Sequence, residues 1–145
     1  MSQQSVKDMV GYTLVMACRA HSTRVRTLLN ALGLHPGQEM FLLSVWEEEG
    51  LTQTELADRL QIQRATVTNS VNRLEKGGLL ERRPDPDDGR IYRIYLTDKG
   101  RQIHNATRPV WDEMETAITT GLTPAEAATL HQLLAQVAHN LSHES

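Results

Sequence analysis

Two capped helical patterns, separated by about three residues and followed at once by a strand-like pair, constrain this chain more than any other feature. In Leu51-Thr52-Gln53-Thr54-Glu55-Leu56, Thr52 is placed to cap a helix, Glu55 to reach back, and Leu51 to staple onto Leu56. That helix is expected to end at Gln61-Ile62. A second helix should run from about Gln63 to Lys76 and end at Gly77-Gly78. Beyond it, 79–83 and 90–96 read as strands around Pro84-Asp85-Pro86-Asp87-Asp88-Gly89, a dense group of turn formers with a polar, mobile tip. The spacing predicts a helix-turn-helix carrying a β-hairpin.

Helices flank this module on both sides. Val6, Met9, Val10, Leu14, Ala17, Cys18, Val25, Leu28, Leu29 and Leu32 recur three and four apart before Gly33, predicting one long helix. Pro36 opens a helix that is apolar nearly all round through Met40, Phe41, Leu42, Leu43, Val45 and Trp46. After Thr97, a helix with apolar positions Ile103 to Ile118 should kink at Pro109. Thr123-Pro124-Ala125-Glu126 opens the last one, whose stripe is Leu130, Leu133, Leu134, Val137, Ala138 and Leu141. The fold class is thus mainly α with a small β-hairpin, in the order α-α-α-α-ββ-α-α. The region 36–98 is the winged helix-turn-helix, and 5–33 with 99–143 form helical extensions of one domain, 1–145. Such long apolar stripes beside a single small module point to burial against another chain.

The second helix of the module carries the chemistry. At 100° per residue Val67, Val71 and Leu74 gather on one side, leaving Arg64, Thr66, Thr68, Asn69, Asn72, Arg73 and Lys76 on the other and its flanks. A merely solvated face tends to interleave Glu with Lys, whereas these side chains suit base edges: Asn for adenine, Arg for guanine, a Thr methyl for thymine. On the hairpin, Arg82, Arg83, Arg90 and Arg93 add cationic contacts, with Asp88 set to orient Arg90 toward a minor groove or phosphate. By itself such a hairpin neutralises its own charge; beside a recognition helix it reads as a wing.

Bulk charge points elsewhere. With 15 Lys+Arg against 18 Asp+Glu, the formal net charge of -3 favours an acidic enzyme or an interaction domain. By region, however, residues 51–101 hold 10 basic and 8 acidic side chains, a net of +2, and the remainder nets -5. The excess acid lies on the flanks and on Glu47-Glu48-Glu49, so discrimination falls to the recognition helix rather than to a general basic field.

From Gly37 to Gly100 the sequence resembles the MarR family of multiple-antibiotic-resistance regulators. The resemblance is carried by LTQTELADRLQIQRATVTNSVNRLEKGGLLERRPDPDDGR and by the run Asp88-Gly89-Arg90 through Leu96-Thr97, similar to the family's wing signature. It implies a homodimer built from the terminal helices, a repressor bound to pseudo-palindromic double-stranded DNA, and release by a small aromatic or amphipathic effector. Arg90 would be the wing-tip arginine, and Arg64, Thr66, Thr68 and Asn69 resemble the major-groove readers. Gln63 departs from the pattern, since a capping Ser is frequent there. Tyr12, His21, Met40, Trp111 and Met114 are the candidate lining of the effector pocket.

Other readings have less behind them. Cys18 lies on the apolar stripe, where an inert buried thiol is expected; in the redox-sensing branch of the family the cysteine would fall near Gly11. One cysteine makes neither an internal disulfide nor a cysteine-based zinc site. His139 and His143 stand four apart in a polar tail without clustered carboxylates, and His21 and His104 could face each other or an effector. A metal- or redox-sensing regulator of the same fold, and a winged helix used for protein contacts, are the alternatives. No catalytic motif appears, so neither an enzyme nor a cofactor is expected. No segment is apolar enough to span a membrane, and no secretory signal opens the chain, which makes the cytoplasm the expected compartment.

Overall fold

The structure, a computed structural model, describes residues 3–142. A 3-10 turn at Val6–Asp8 leads to α1 (Val10–Asn30), followed by α2 (Gln38–Glu47), α3 (Gln53–Leu60) and α4 (Arg64–Lys76). The hairpin is β1 (Leu80–Pro84) and β2 (Tyr92–Leu96), and α5 (Asp98–Ala106), α6 (Arg108–Thr119) and α7 (Pro124–Ser142) complete the chain. This is the mainly helical architecture with one antiparallel hairpin that the patterning predicts.

Differences from the sequence expectation have local causes. The first helix starts later, because Met9 is extended after the Ser5 hydroxyl accepts the Lys7 N–H. Gly37 rather than Pro36 precedes α2, with φ 95°, a backbone region that favours glycine. The bend expected at Pro109 is a break at Thr107, which ends α5 and starts α6. Pro109 then lies in the first turn of α6, where a missing N–H costs nothing. The buried Thr107 hydroxyl is satisfied by the His104 carbonyl at 2.6 Å. Nor is α2 buried all round: Phe41, Leu42 and Val45 are, while Trp46 is half-exposed and stacks on His104 at 4.9 Å between ring centroids.

The core is that of the middle module. Leu29, Leu34, Leu42, Val45, Leu56, Val67, Val71, Leu74, Leu80 and Ile94 are all but fully enclosed, each such side chain contributing roughly 1.5–3 kcal/mol. The hairpin is tied into it by a bridge from Leu51 to Ile94: the Ile94 N–H reaches the Leu51 carbonyl at 2.9 Å and the Gly50 N–H reaches the Ile94 carbonyl at 2.9 Å. Residues pair across the hairpin from Leu80 with Leu96 to Pro84 with Tyr92.

The flanking helices are a contrast. Within these helices, only Val25 and Leu29 of α1, Gly100 of α5 and Met114 of α6 are buried, and α7 buries none of its described residues. Val10, Val15, Met16, Trp111, Ile118, Leu133, Leu134 and Leu141 are exposed. Cys18 is exposed too, not enclosed in the stripe as the sequence suggested, because nothing among the described residues covers that face of α1. The apolar stripe of α7, with Leu133, Leu134 and Leu141 exposed, is thus left uncovered by the described residues.

Candidate nucleic-acid interface

Positioning of α4 starts with α3. The Thr52 hydroxyl accepts the Glu55 N–H at 3.2 Å, fixing the helix start. The reciprocal half of the expected capping box is not made, since the Glu55 carboxylate stands 4.0 Å from Arg93 instead. Gln61 closes α3 in the left-handed region, φ 54°, letting the Ile62 N–H reach the Ala57 carbonyl at 3.2 Å. This turn throws the chain directly into α4, whose Val67, Val71 and Leu74 face the core. Gln63 precedes α4 without a side-chain cap, in keeping with its departure from serine.

On the outer side Arg64, Thr66, Asn69, Asn72, Arg73 and Lys76 are exposed. Thr68 is half-buried, and its hydroxyl is engaged by the Arg64 carbonyl at 3.1 Å and by the Gln53 amide at 2.9 Å. With no acidic side chain in its first turn, the α4 N-terminus keeps its partial positive charge available to an anion.

The wing tip is held, not loose. Asp85 Oδ1 accepts the N–H groups of Asp87 (2.8 Å) and Asp88 (3.0 Å), and Oδ2 accepts Arg93 Nε at 2.6 Å. The Arg93 guanidinium and these two N–H groups hold the Asp85 carboxyl below the usual carboxylate range. Asp88 takes the backbone N–H and Nε of Arg90 at 3.0 and 3.1 Å, and that side-chain contact chiefly lowers its own titration. Arg90 nevertheless remains 92% exposed.

The structure thus divides the predicted arginines. Arg64, Arg73 and Arg90 project outward. Arg93 turns into the wing base, where Nη1 donates to the Gly50 carbonyl at 2.9 Å. Arg83 pairs with Glu81 and lies over the Tyr95 ring, 4.2 Å from its centroid. Arg82 donates to Glu75 Oε1 at 3.1 Å and to Asn72 Oδ1 at 2.6 Å. Gln53, Glu75 and Asp85 were not singled out from sequence; only Asp85, inside a turn-forming cluster, carried a local signal.

A cavity of about 460 Å³ opens between the start of α2 and α4. Met40, Phe41, Leu60 and Ile62 form its apolar wall; Thr66, Asn69 and Arg73 form the opposite one. Of the candidate effector-pocket residues, only Met40 lines it. Tyr12, His21 and Trp111 are exposed on α1 and α6, while Met114 belongs to the core. His21 acts on Glu39, whose carboxyl is pushed up by burial and drawn back by the Gly37 N–H at 2.8 Å and by that imidazole. Among the described residues, no three His, Cys, Asp or Glu side chains gather in a metal-binding group; His139 is on α7 and His143 lies outside those residues.

The MarR family model matches residues 34–92. A regulator from Neisseria gonorrhoeae, the HTH-type transcriptional regulator FarR, is 30% identical over 139 residues, 95% of this chain and 94% of its own length. The chain belongs to the MarR family. It is therefore a winged-helix, DNA-binding transcriptional regulator and not an enzyme. Among solved structures, the S. aureus MepR–DNA complex superposes with a TM-score of 0.82 at 25% identity, covering 94% of this chain and 99% of that one. PcaV from Streptomyces coelicolor, in complex with its natural ligand, superposes at 0.83 with 26% identity, covering 97% and 99%. For this MarR-family chain, no helix among the described residues is long and apolar enough to cross a membrane.

Proposed function

We propose that this regulator is a homodimeric repressor that holds a pseudo-palindromic operator and releases it when a small aromatic or amphipathic effector binds. The observation that carries the reading is the exposure of both the polar α4 face and Arg90, the wing arginine braced by Asp88 yet almost wholly exposed. The unpartnered apolar faces of α1 and α7 support a second copy as the occupant. Two copies joined there present two α4 helices to successive major grooves, about 34 Å apart. The wings add flanking contacts, and phosphate contacts supply salt-dependent affinity. That MepR has been seen on DNA and PcaV with a ligand supports both halves of the reading.

Effector action follows from where the cavity lies. Its volume is in the range of small-molecule sites, and Asn69 and Arg73 belong to its wall and to the DNA-facing surface together. A molecule seated there competes for the same side chains, so its differential affinity for the free state weakens DNA binding. Footprinting on the duplex upstream of the chain's own gene tests the whole. Two protected half-sites one helical turn apart, lost in Arg90→Ala, are the expected result. Uniform coverage without a preferred site overturns it.

A further inference from the structure

We propose that Arg82 is a positioning residue that fixes which way the Asn72 amide faces, and so sets base preference at that position; it is not a phosphate contact. This rests on the reading that α4 faces DNA. The Arg82 side chain is 23% exposed and its Nε, Nη1 and Nη2 all meet protein acceptors. Glu75 takes Nη1 at 3.1 Å and the Arg82 backbone N–H at 3.2 Å, which fixes the plane of the guanidinium. Gln53, with its amide nitrogen toward Thr68 Oγ1 at 2.9 Å, turns its oxygen to Nη2 at 2.8 Å and Nε at 3.3 Å. Nη2 also donates to Asn72 Oδ1 at 2.6 Å. One guanidinium on β1 therefore joins the start of α3 to two successive turns of α4.

The consequence for recognition is a matter of donors and acceptors. A guanidinium only donates, so the Asn72 amide must present its oxygen to it; the reverse orientation would set N–H against N–H. One of the two lone pairs of the Asn72 oxygen is thereby held inside the protein and the amide plane is fixed, while the Nδ2 group stays free for DNA. Bidentate pairing with adenine requires the oxygen and the nitrogen of an asparagine together. Asn72 locked by Arg82 has its oxygen edge turned toward the guanidinium and presents chiefly its N–H donors, which suits guanine O6 and N7 or thymine O4. The same contacts leave Arg82 no orientation toward phosphate without abandoning Glu75 and Gln53.

The test uses the full chain and a duplex library in which every base pair of the selected operator is varied. Asn72→Ala identifies the base pair that Asn72 reads. Wild type is expected to prefer guanine or thymine there, and Arg82→Gln to shift preference toward adenine on the order of tenfold, as one gained bidentate contact implies. The slope of log affinity against log salt should not change. A slope reduced by about one, with preference unchanged, identifies a phosphate contact and overturns the proposal. An equal loss on all duplexes, or a wild-type preference for adenine, also overturns it, as does an Asn72→Ala variant that relaxes no base pair. Should Arg82→Gln not fold, Arg82→Lys carries the test: it keeps the charge but cannot hold all three partners, so preference should relax at constant slope. If wild type selects no duplex, the DNA-facing reading of α4 is what fails.

Discussion

Asp88 accepts two hydrogen bonds from Arg90 through a single oxygen, from the backbone N–H at 3.0 Å and from Nε at 3.1 Å, while the arginine stays almost fully in solvent. Its Nη2 also reaches Asp88 Oδ2 at 3.3 Å, so a guanidinium held by one carboxylate yet exposed enters a complex having already lost part of its conformational freedom. Arg90→Ala should lower operator affinity on the order of tenfold or more with no change in melting temperature. Asp88→Ala should give a smaller loss, since the guanidinium remains but is no longer aimed. Gel-shift titration at fixed salt measures both; unaltered affinity in Arg90→Ala removes the wing from the interface.

Gly100 packs its backbone on the hairpin. A Cβ built there would stand 2.0 Å from the Leu79 carbonyl oxygen and 3.3 Å from a Leu96 methyl. Alanine inside an exposed helix normally stabilises relative to glycine, by roughly 0.5–1 kcal/mol. Here the close approach reverses the sign: Gly100→Ala should destabilise by about 1–3 kcal/mol, lowering the melting temperature by roughly 2–4 °C per kcal/mol. A higher melting temperature would contradict the packing.

The His104 imidazole stacks on Trp46, and its Nδ1 is buried without a hydrogen-bond partner. Burial pushes its titration below the ordinary 6.5, opposed by the Glu47 carboxylate. The unfolded chain therefore takes up a proton at a pH where the folded chain does not. The associated stability is complete above about pH 6.5 and is lost as the pH falls through the lowered native value. Melting temperatures between pH 7 and pH 5 should fall more steeply for wild type than for His104→Phe, which keeps the stack without the proton. Equal slopes would remove the effect from His104.

Leu133 on α7 is 60% exposed, so the isolated chain has little to lose there. Leu133→Asp should leave the helical content unchanged, while sedimentation velocity reports a species of one chain where wild type gives two. Operator affinity should fall with it, because each half-site then binds alone. A dimer that survives places the second copy on another face.

The exposed face of α4 was legible because it depends on one element at a time. Val67, Val71 and Leu74 repeat four and three apart, so the face opposite them follows from helical period alone. Arg90 and Asp88 are two residues apart and Thr123 and Glu126 three, distances that a local turn or cap closes by itself. The half-made box at Thr52 shows the limit. Its local half formed, and the Glu55 carboxylate was drawn instead toward an arginine from a distant strand.

Sequence alone determined the element order, the buried side of α4 and the braced arginine of the wing, since each follows from periodicity, capping and turn chemistry within a few residues. Tertiary structure alone decided which arginines reach outward. Arg93 meets a carbonyl 43 residues away and Arg82 meets Asn72 and Gln53, because the register of β1 against α3 and α4 brings them together. A helical or strand period states which face a side chain lies on. It does not state which acceptor on another element stands opposite, and for a guanidinium that acceptor decides between holding the fold and reaching solvent.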